Sequence, residues 1–320
     1  MSRIVSKSPL SSPQLEKAGI VQRYAPGLYA FWKFARPHTI IGTSLSVLGL
    51  YAIATTGSGQ WSIANAIAAI FPPLLACLCG NVYIVGLNQL EDIEIDRINK
   101  PHLPLASGEF SPRQGIVIVA IAGMLALLLA FVQSPFLLAT VGVSLLIGTA
   151  YSLPPLRLKR FPVWASLCVF TVRGVIVNLG LFLHFQSRLV IPPTVWALTL
   201  FVLVFTFAIA IFKDIPDLEG DRQYNITTFT LRLGQKTVFY LALWVITSCY
   251  AGMVLVSLFG LPGTNALFLM VTHLIALGVL WFRSIRVDLT TQAAISRHYQ
   301  FIWKLFFLEY VMFPIACILA

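Results

Sequence analysis

"NQLEDIEIDRINKPHLPLASGEF", residues 88–110, follows a long apolar run and carries four of the chain's twelve acids within six positions, Glu91 to Asp96. Asn88, Asp92 and Asp96 recur at i, i+4 and i+8. On an α-helix such residues drift by only about 40° per step and share one face. A second string, "KDIPDLEGD" at 213–221, repeats the pattern about 125 residues later, with Asp217 and Asp221 at i, i+4 and Asp214 one turn earlier. Pro216 and Gly220 predict that the second helix ends or kinks there, exposing its carboxylates.

Everything around these strings is apolar. Of 320 residues, 58% are hydrophobic and 11% charged, with a mean hydropathy of +0.84. A soluble domain carries about 25% charged residues. The deficit runs along the whole chain and predicts an all-α polytopic membrane protein. Nine stretches are long enough to span a bilayer, at about 39–56, 64–90, 114–132, 136–153, 163–184, 194–212, 237–259, 264–282 and 299–319. Only "QSP" separates the third from the fourth, so a tight helical hairpin is expected there. The order predicts nine transmembrane helices, with both acidic strings at helix ends on one side.

The net charge of +10 tests that topology. The N-terminal tail and the loops after spans two, four, six and eight hold six, three, three, four and three Lys or Arg, nineteen in all, whereas the opposite face has Arg188 alone. Basic residues gather in cytoplasmic loops, so the N-terminus is expected in the cytoplasm and the C-terminus across the membrane. No soluble domain remains to present a basic surface, which argues against nucleic acid as a partner and leaves the lipid bilayer. The five cysteines lie in apolar segments without metal-ligand spacing and read as packing residues. Residues 1–35 read as a polar cytoplasmic tail without a cleavable secretory signal, and residues 36–320 as one membrane domain.

Carboxylates stacked on a helix face repel one another, and their natural counter-ion is a hard divalent cation. Mg²⁺ prefers oxygen ligands and shares its shell with substrate phosphates. Two clusters facing each other would clamp a diphosphate through two Mg²⁺ ions, with Arg97, Lys100, Lys213 and Arg222 taking the remaining phosphate charge. A solvated loop would need neither two copies nor four-residue spacing.

N-x-x-x-D-x-x-x-D after the second span and D-x-x-x-D after the sixth resemble the UbiA superfamily of intramembrane prenyltransferases. "NQLEDIEIDRINKPHLPLASGE", "KDIPDLEGD" and "FARPHTIIGTSLS" resemble its homogentisate-prenylating branch, found in cyanobacteria and plastids. The resemblance implies nine transmembrane helices surrounding an intramembrane cavity with a cytoplasmic-side catalytic mouth, and Mg²⁺-dependent transfer there from a prenyl diphosphate, phytyl or similar, to homogentisate. CO₂ and diphosphate leave, giving 2-methyl-6-phytylbenzoquinol, a tocopherol precursor, in a cyanobacterial plasma or thylakoid membrane. Solanesyl transfer, another aromatic acceptor and chlorophyll synthesis are the alternatives inside the superfamily. A secondary transporter is the alternative outside it, although transporters place charged sites near the bilayer midplane.

By the same resemblance, Asn88, Asp92 and Asp96 would hold one Mg²⁺ and Asp217 and Asp221 the other, with Asp214 assisting. Glu91, Glu94 and Glu219 lie off the main face. In "AYSLPPLRLKR", Arg157 and Lys159 would meet the diphosphate and Tyr151 substrate or phosphate, while Arg160 reads as a membrane anchor. Arg36 would meet the diphosphate or the acceptor carboxylate; His38 stands near the acceptor or has no role. Arg173 and Asn178 fall inside span five, Arg173 about 15 Å deep. An intramembrane Arg marks a functional site by default, the competing readings being a structural pair with Glu309 or snorkelling.

Overall fold

Proline sets the start of five long helices. Pro37, Pro112, Pro135, Pro162 and Pro193 each occupy a first-turn position, where the missing N–H is one that no helix would bond and the fixed φ is already helical. The computed structural model describes residues 24–56, 62–224 and 226–320. Among these, nine helices are long and apolar enough to cross a membrane: Pro37–Thr55, Ile63–Glu91, Pro112–Gln133, Pro135–Ser152, Pro162–Gln186, Pro193–Phe212, Gln235–Leu258, Ala266–Ser284 and Gln292–Ile318. They match the nine expected stretches, and the described residues contain no strand. The chain is an integral, multi-pass, all-α membrane protein.

Boundaries moved where polarity hides helix. Span nine begins at Gln292 rather than 299, because its first two turns carry Gln292, Ser296, Arg297 and His298, which depress hydropathy without stopping the helix. The hairpin at "QSP" is as tight as expected. Ser134 alone separates spans three and four, extended at φ −165°, and its hydroxyl accepts the N–H of Leu137. Span three starts with a capping box between Ser111 and Gln114, satisfying two donors that a helix end leaves free.

Spans six and nine are the most enclosed. Phe205, Phe212, Phe239, Tyr250, Phe306 and Phe313 are fully buried between spans six, seven and nine, while Leu128, Phe131, Leu146, Trp244 and Phe282 point outward. Lipid tails are as apolar as these side chains, so close packing rather than hydrophobic transfer holds the interior together. Spans one, two, four, five, six and nine enclose a cavity of about 850 Å³.

The segment expected as a tail is partly built into this body. A helix over Pro26–Phe34 brings Phe34 into full burial, edge-on to Phe110 at 5.9 Å. Gln89 Nε2 donates to the Phe34 carbonyl at 2.7 Å, and Lys33 pairs with Glu109. The expectation about a secretory signal falls on residues 1–23, outside the described residues.

Candidate active site

The first acidic string does not form one unbroken helix. Span two ends at Glu91, Asp92 leaves helical geometry at φ −114°, ψ 19°, and a new short helix covers Ile93–Asn99. The break turns the face that i, i+4, i+8 spacing predicts, although the Asp96 N–H still reaches the Asp92 carbonyl at 2.7 Å. A helix end leaves carbonyls unpaired, and the Arg157 guanidinium takes the one on Glu91 at 3.2 Å.

Around that break the polar side chains interlock. Asn88 Nδ2 donates to Asp92 Oδ2 at 3.2 Å, and Arg36 donates to Asn88 Oδ1 at 3.4 Å. Asp92 Oδ1 lies 2.7 Å from Lys159 Nζ and 3.4 Å from Arg157 Nη2. Asp96 is buried, with Arg36 and Lys100 each 3.9 Å from its carboxylate. Arg36 and Arg157 are two of the three described non-glycine residues with left-handed backbone, at φ 54° and 38°. Such conformations strain the chain by about 1–3 kcal/mol and collect at functional sites.

The second string sits against the first. Span six stops at Phe212, and a short helix begins at Leu218 after Asp217. Lys100 binds Asp217 and also approaches Asp96, so one ammonium bridges both clusters. Asn99 Oδ1 accepts the Gly220 N–H at 2.9 Å. A Cβ on residue 220 would stand 2.5 Å from that oxygen; only glycine lets the two short helices meet here. Lys213 reaches Asp214 at 3.5 Å and the Tyr151 hydroxyl at 3.1 Å. Asp221 has no ion pair among the described residues.

Positive charge reaches these acids unevenly, and among the described residues none of it pairs with Asp221. Burial, reinforced by Asp217 and Asp214, pushes Asp221 up to about 7. Asp214 is pushed to about 6, chiefly by burial, with Lys213 opposing. Burial also raises Asp96, whose Oδ2 is enclosed without a hydrogen bond. Among the described residues no three acids or histidines converge as a ready chelate. The donors are nonetheless all oxygen, clustered and largely buried, with the Asp96 Oδ2 unbonded and Asp221 unpaired among the described residues. That suits a hard ion bound by one or two carboxylates and completed by water and phosphate oxygens, as Mg²⁺ prefers.

Of the residues expected at the site, Arg36, Asn88, Asp92, Asp96, Lys100, Tyr151, Lys159, Arg173, Lys213, Asp214, Asp217 and Asp221 line the cavity of about 850 Å³. Four do not. Arg97 turns outward to Glu94 at 2.6 Å, because on the short helix it follows the buried Asp96 and points about 100° away from it. Arg222 is exposed beside a separate shallow pocket. Arg157 acts from behind, on Asp92 and Glu91. Asn178 is buried in the bundle, donating to the Gly174 carbonyl at 2.7 Å and accepting from the Tyr310 hydroxyl at 2.7 Å. Nor does Arg173 pair with Glu309, whose Oε2 lies 3.1 Å from His273 Nε2.

Sequence reasoning missed span nine's contribution. Tyr299 and Trp303 line the cavity, Trp303 packed on His38 with centroids 4.9 Å apart, and Gln292 Nε2 ties this span to the Pro216 carbonyl at 2.8 Å. Nothing local distinguishes these aromatics among 23 Phe, 10 Tyr and 7 Trp. Asn99 carried a usable signal, one turn beyond the acids in "RINK".

The UbiA prenyltransferase family model matches residues 43–305. Homogentisate phytyltransferase of Synechocystis sp. is 54% identical over 294 residues, 90% of this chain and 96% of that protein. Homogentisate phytyltransferase 1 of Arabidopsis thaliana is 41% identical, covering 91% of this chain and 76% of its own length. A solved UbiA homolog from Archaeoglobus fulgidus, bound to GPP and Mg²⁺, shares the fold with a TM-score of 0.61 over 91% of this chain and 100% of that one, at 17% identity. The family model covers most of the chain and these relatives exceed 30% identity over nine-tenths of it, so the chain belongs to the UbiA prenyltransferase family.

Proposed function

We propose that this enzyme transfers the phytyl group of phytyl diphosphate to homogentisate, releasing diphosphate and CO₂ and giving 2-methyl-6-phytylbenzoquinol. The observation that carries the reading is the pair of acidic clusters joined through Lys100 above an enclosed cavity. The likeness to the Synechocystis enzyme supports the choice of donor and acceptor.

In this reading Asn88, Asp92 and Asp96 hold one Mg²⁺, and Asp217 and Asp221, with Asp214, hold a second. Bound there, the ions would lower the charge of the diphosphate and make it a better leaving group. Arg36, Lys100, Lys159 and Lys213 donate to phosphate oxygens, and Arg157 holds Asp92 in place. Below the mouth, Ile84, Val141, Leu145, Val169 and Val172 receive the twenty-carbon chain and keep water from the allylic carbon. Tyr299 adds an aromatic wall to the cavity in which positive charge develops. The hydroquinone ring attacks that carbon, a ring proton leaves, the bond to the carboxylate breaks, and the remaining CH₂ takes up a proton to become methyl.

The basic-residue asymmetry supports a cytoplasmic mouth and N-terminus, in a cyanobacterial plasma or thylakoid membrane. The membrane domain covers residues 36–320, with the preceding segment as its cytoplasmic arm. The test is turnover of radiolabelled phytyl, geranylgeranyl and solanesyl diphosphates with Mg²⁺ and with homogentisate, 4-hydroxybenzoate or chlorophyllide. Phytyl transfer to homogentisate should dominate. Preference for solanesyl diphosphate, or esterification of chlorophyllide, overturns the assignment.

A further inference from the structure

Arg173 lies eleven residues into span five, about 16 Å below its start, and lines the same cavity as the acids. It is held there without being neutralised. Its guanidinium lies over Trp303 at 5.1 Å and Phe306 at 5.6 Å. Nη1 fills the space where Gly42 lacks a Cβ, which would stand 2.9 Å away. Its own turn, Thr171–Ile176, is π-helical, a local widening that often marks functional sites. Behind it, Gly174 presses span five onto span six; a Cβ there would stand 2.5 Å from Leu203 Cα. Among the described residues no carboxylate or hydrogen-bond acceptor meets the guanidinium. The one deep acid, Glu309, is occupied by His273.

A buried cation without a counter-charge is costly and calls for a ligand that brings one. Three charges enter this cavity under the proposed function. The diphosphate is met at the mouth by Arg36, Lys100, Lys159 and Lys213. The allylic cation would be repelled by Arg173. The carboxylate of the acceptor remains.

We propose that Arg173 is the acceptor's carboxylate site, binding an aryl carboxylate against Trp303, and that this pairing removes the cavity's positive charge before the donor ionises. The inference rests on the function proposed above and deepens it. At an effective dielectric near 20, a unit charge about 10 Å from a developing cation slows ionisation on the order of tenfold, and an unpaired Arg173 in the same cavity opposes ionisation in that way. The empty acceptor site therefore protects the donor from hydrolysis, in which water takes the allylic carbon, diphosphate leaves and a proton is released.

The test compares homogentisate with methylhydroquinone, the same ring without the carboxylate, in wild type and in Arg173→Met. The variant should raise the homogentisate KM on the order of 10- to 100-fold, the worth of a charge-assisted bond. The donor KM should stay within about twofold and methylhydroquinone turnover should be retained. Acceptor-free hydrolysis of phytyl diphosphate should rise on the order of tenfold. A donor KM that rises in step would place Arg173 on the diphosphate and overturn the proposal. So would equal losses with both acceptors, the signature of a merely structural role.

Wild type provides a measurement that needs no variant. Phenylacetate should compete with the acceptor while benzyl alcohol does not; equal inhibition by both overturns the proposal. Gly42→Ala, which displaces the guanidinium without removing it, should show the same homogentisate-selective loss. Failure of the underlying function looks different. Wild type would then prenylate no homogentisate, yet aryl carboxylates would still protect it, and not Arg173→Met, against thermal unfolding.

Discussion

Replacing Lys159 by Met separates the stability of the mouth from its function. Lys159 Nζ is buried 2.7 Å from Asp92 Oδ1. Burial pulls its pKa below the usual lysine value, and the attraction of Asp92 does not make up the difference. The folded state therefore holds this charge at a net cost, and a folded pKa lower than the unfolded one means that the cost is present at pH 7. Met keeps the stem and relieves it, while Arg157, 3.4 Å from the same oxygen, still faces Asp92. Thermal stability in detergent should fall little, whereas a charge-assisted bond to the donor worth about 1.5–3 kcal/mol disappears. That is roughly a 10- to 150-fold loss in kcat/KM for phytyl diphosphate. The assay titrates radiolabelled donor at saturating homogentisate, with Arg160→Met, an exposed neighbour, as control. Equal damage in Arg160→Met would show that the loop contributes only general positive charge. A change confined to the homogentisate KM would move Lys159 from the donor to the acceptor.

Asp92→Ala, Asp96→Ala, Asp217→Ala and Asp221→Ala should each lose most activity yet purify as folded protein; near-normal turnover in two of them would return the acids to a solvated surface. Metal-free protein should lose stability as pH rises from about 4 to about 7, because the raised carboxyls of Asp214 and Asp221 bind protons more tightly folded than unfolded. Mg²⁺ replaces those protons, so the Tm gain on adding it should be larger at pH 8 than at pH 5.5; an equal or smaller gain at pH 8 refutes the metal assignment to these residues. A reporter fused after Ala320 should read as non-cytoplasmic and one placed between spans six and seven as cytoplasmic, and reversal at either place breaks the topology.

Much of this architecture is legible in the sequence because bilayer thickness imposes helix length. The nine spans follow from hydropathy alone, and the acidic strings from a four-residue period. The misplacements have a common cause. Arg97 and Arg222 each directly follow the right acid in sequence, but one helical step turns a side chain by about 100°, so where Asp96 and Asp221 face inward their neighbours face out. Asn178 looks like a cavity residue because it is polar inside a span, yet it is satisfied by Gly174 and Tyr310. Tyr299 and Trp303 stay hidden because an aromatic residue in a membrane helix is unremarkable until the facing side chains are known. Arg173 stood out because a charge inside a span is rare, but only the packing shows that Glu309 is spoken for.

The charges at the mouth explain how these parts work together. Five carboxylates stand there, Asp92, Asp96, Asp214, Asp217 and Asp221, and five cations lie within ion-pair reach of one or more of them: Arg36, Lys100, Arg157, Lys159 and Lys213. Without ligands the mouth is near electroneutral, which lets two acidic helix ends approach at a partly buried site. A diphosphate alone would bring negative charge against the carboxylates, and Mg²⁺ alone would compete with lysines already in place. Together they bring nearly balanced charge, so on the proposed roles donor and metal enter as a unit. Lys100 stands at the centre of that balance. Its ammonium bridges Asp96 and Asp217 across the two clusters, so the proposed roles ask it to neutralise carboxylates before loading and the leaving diphosphate after it.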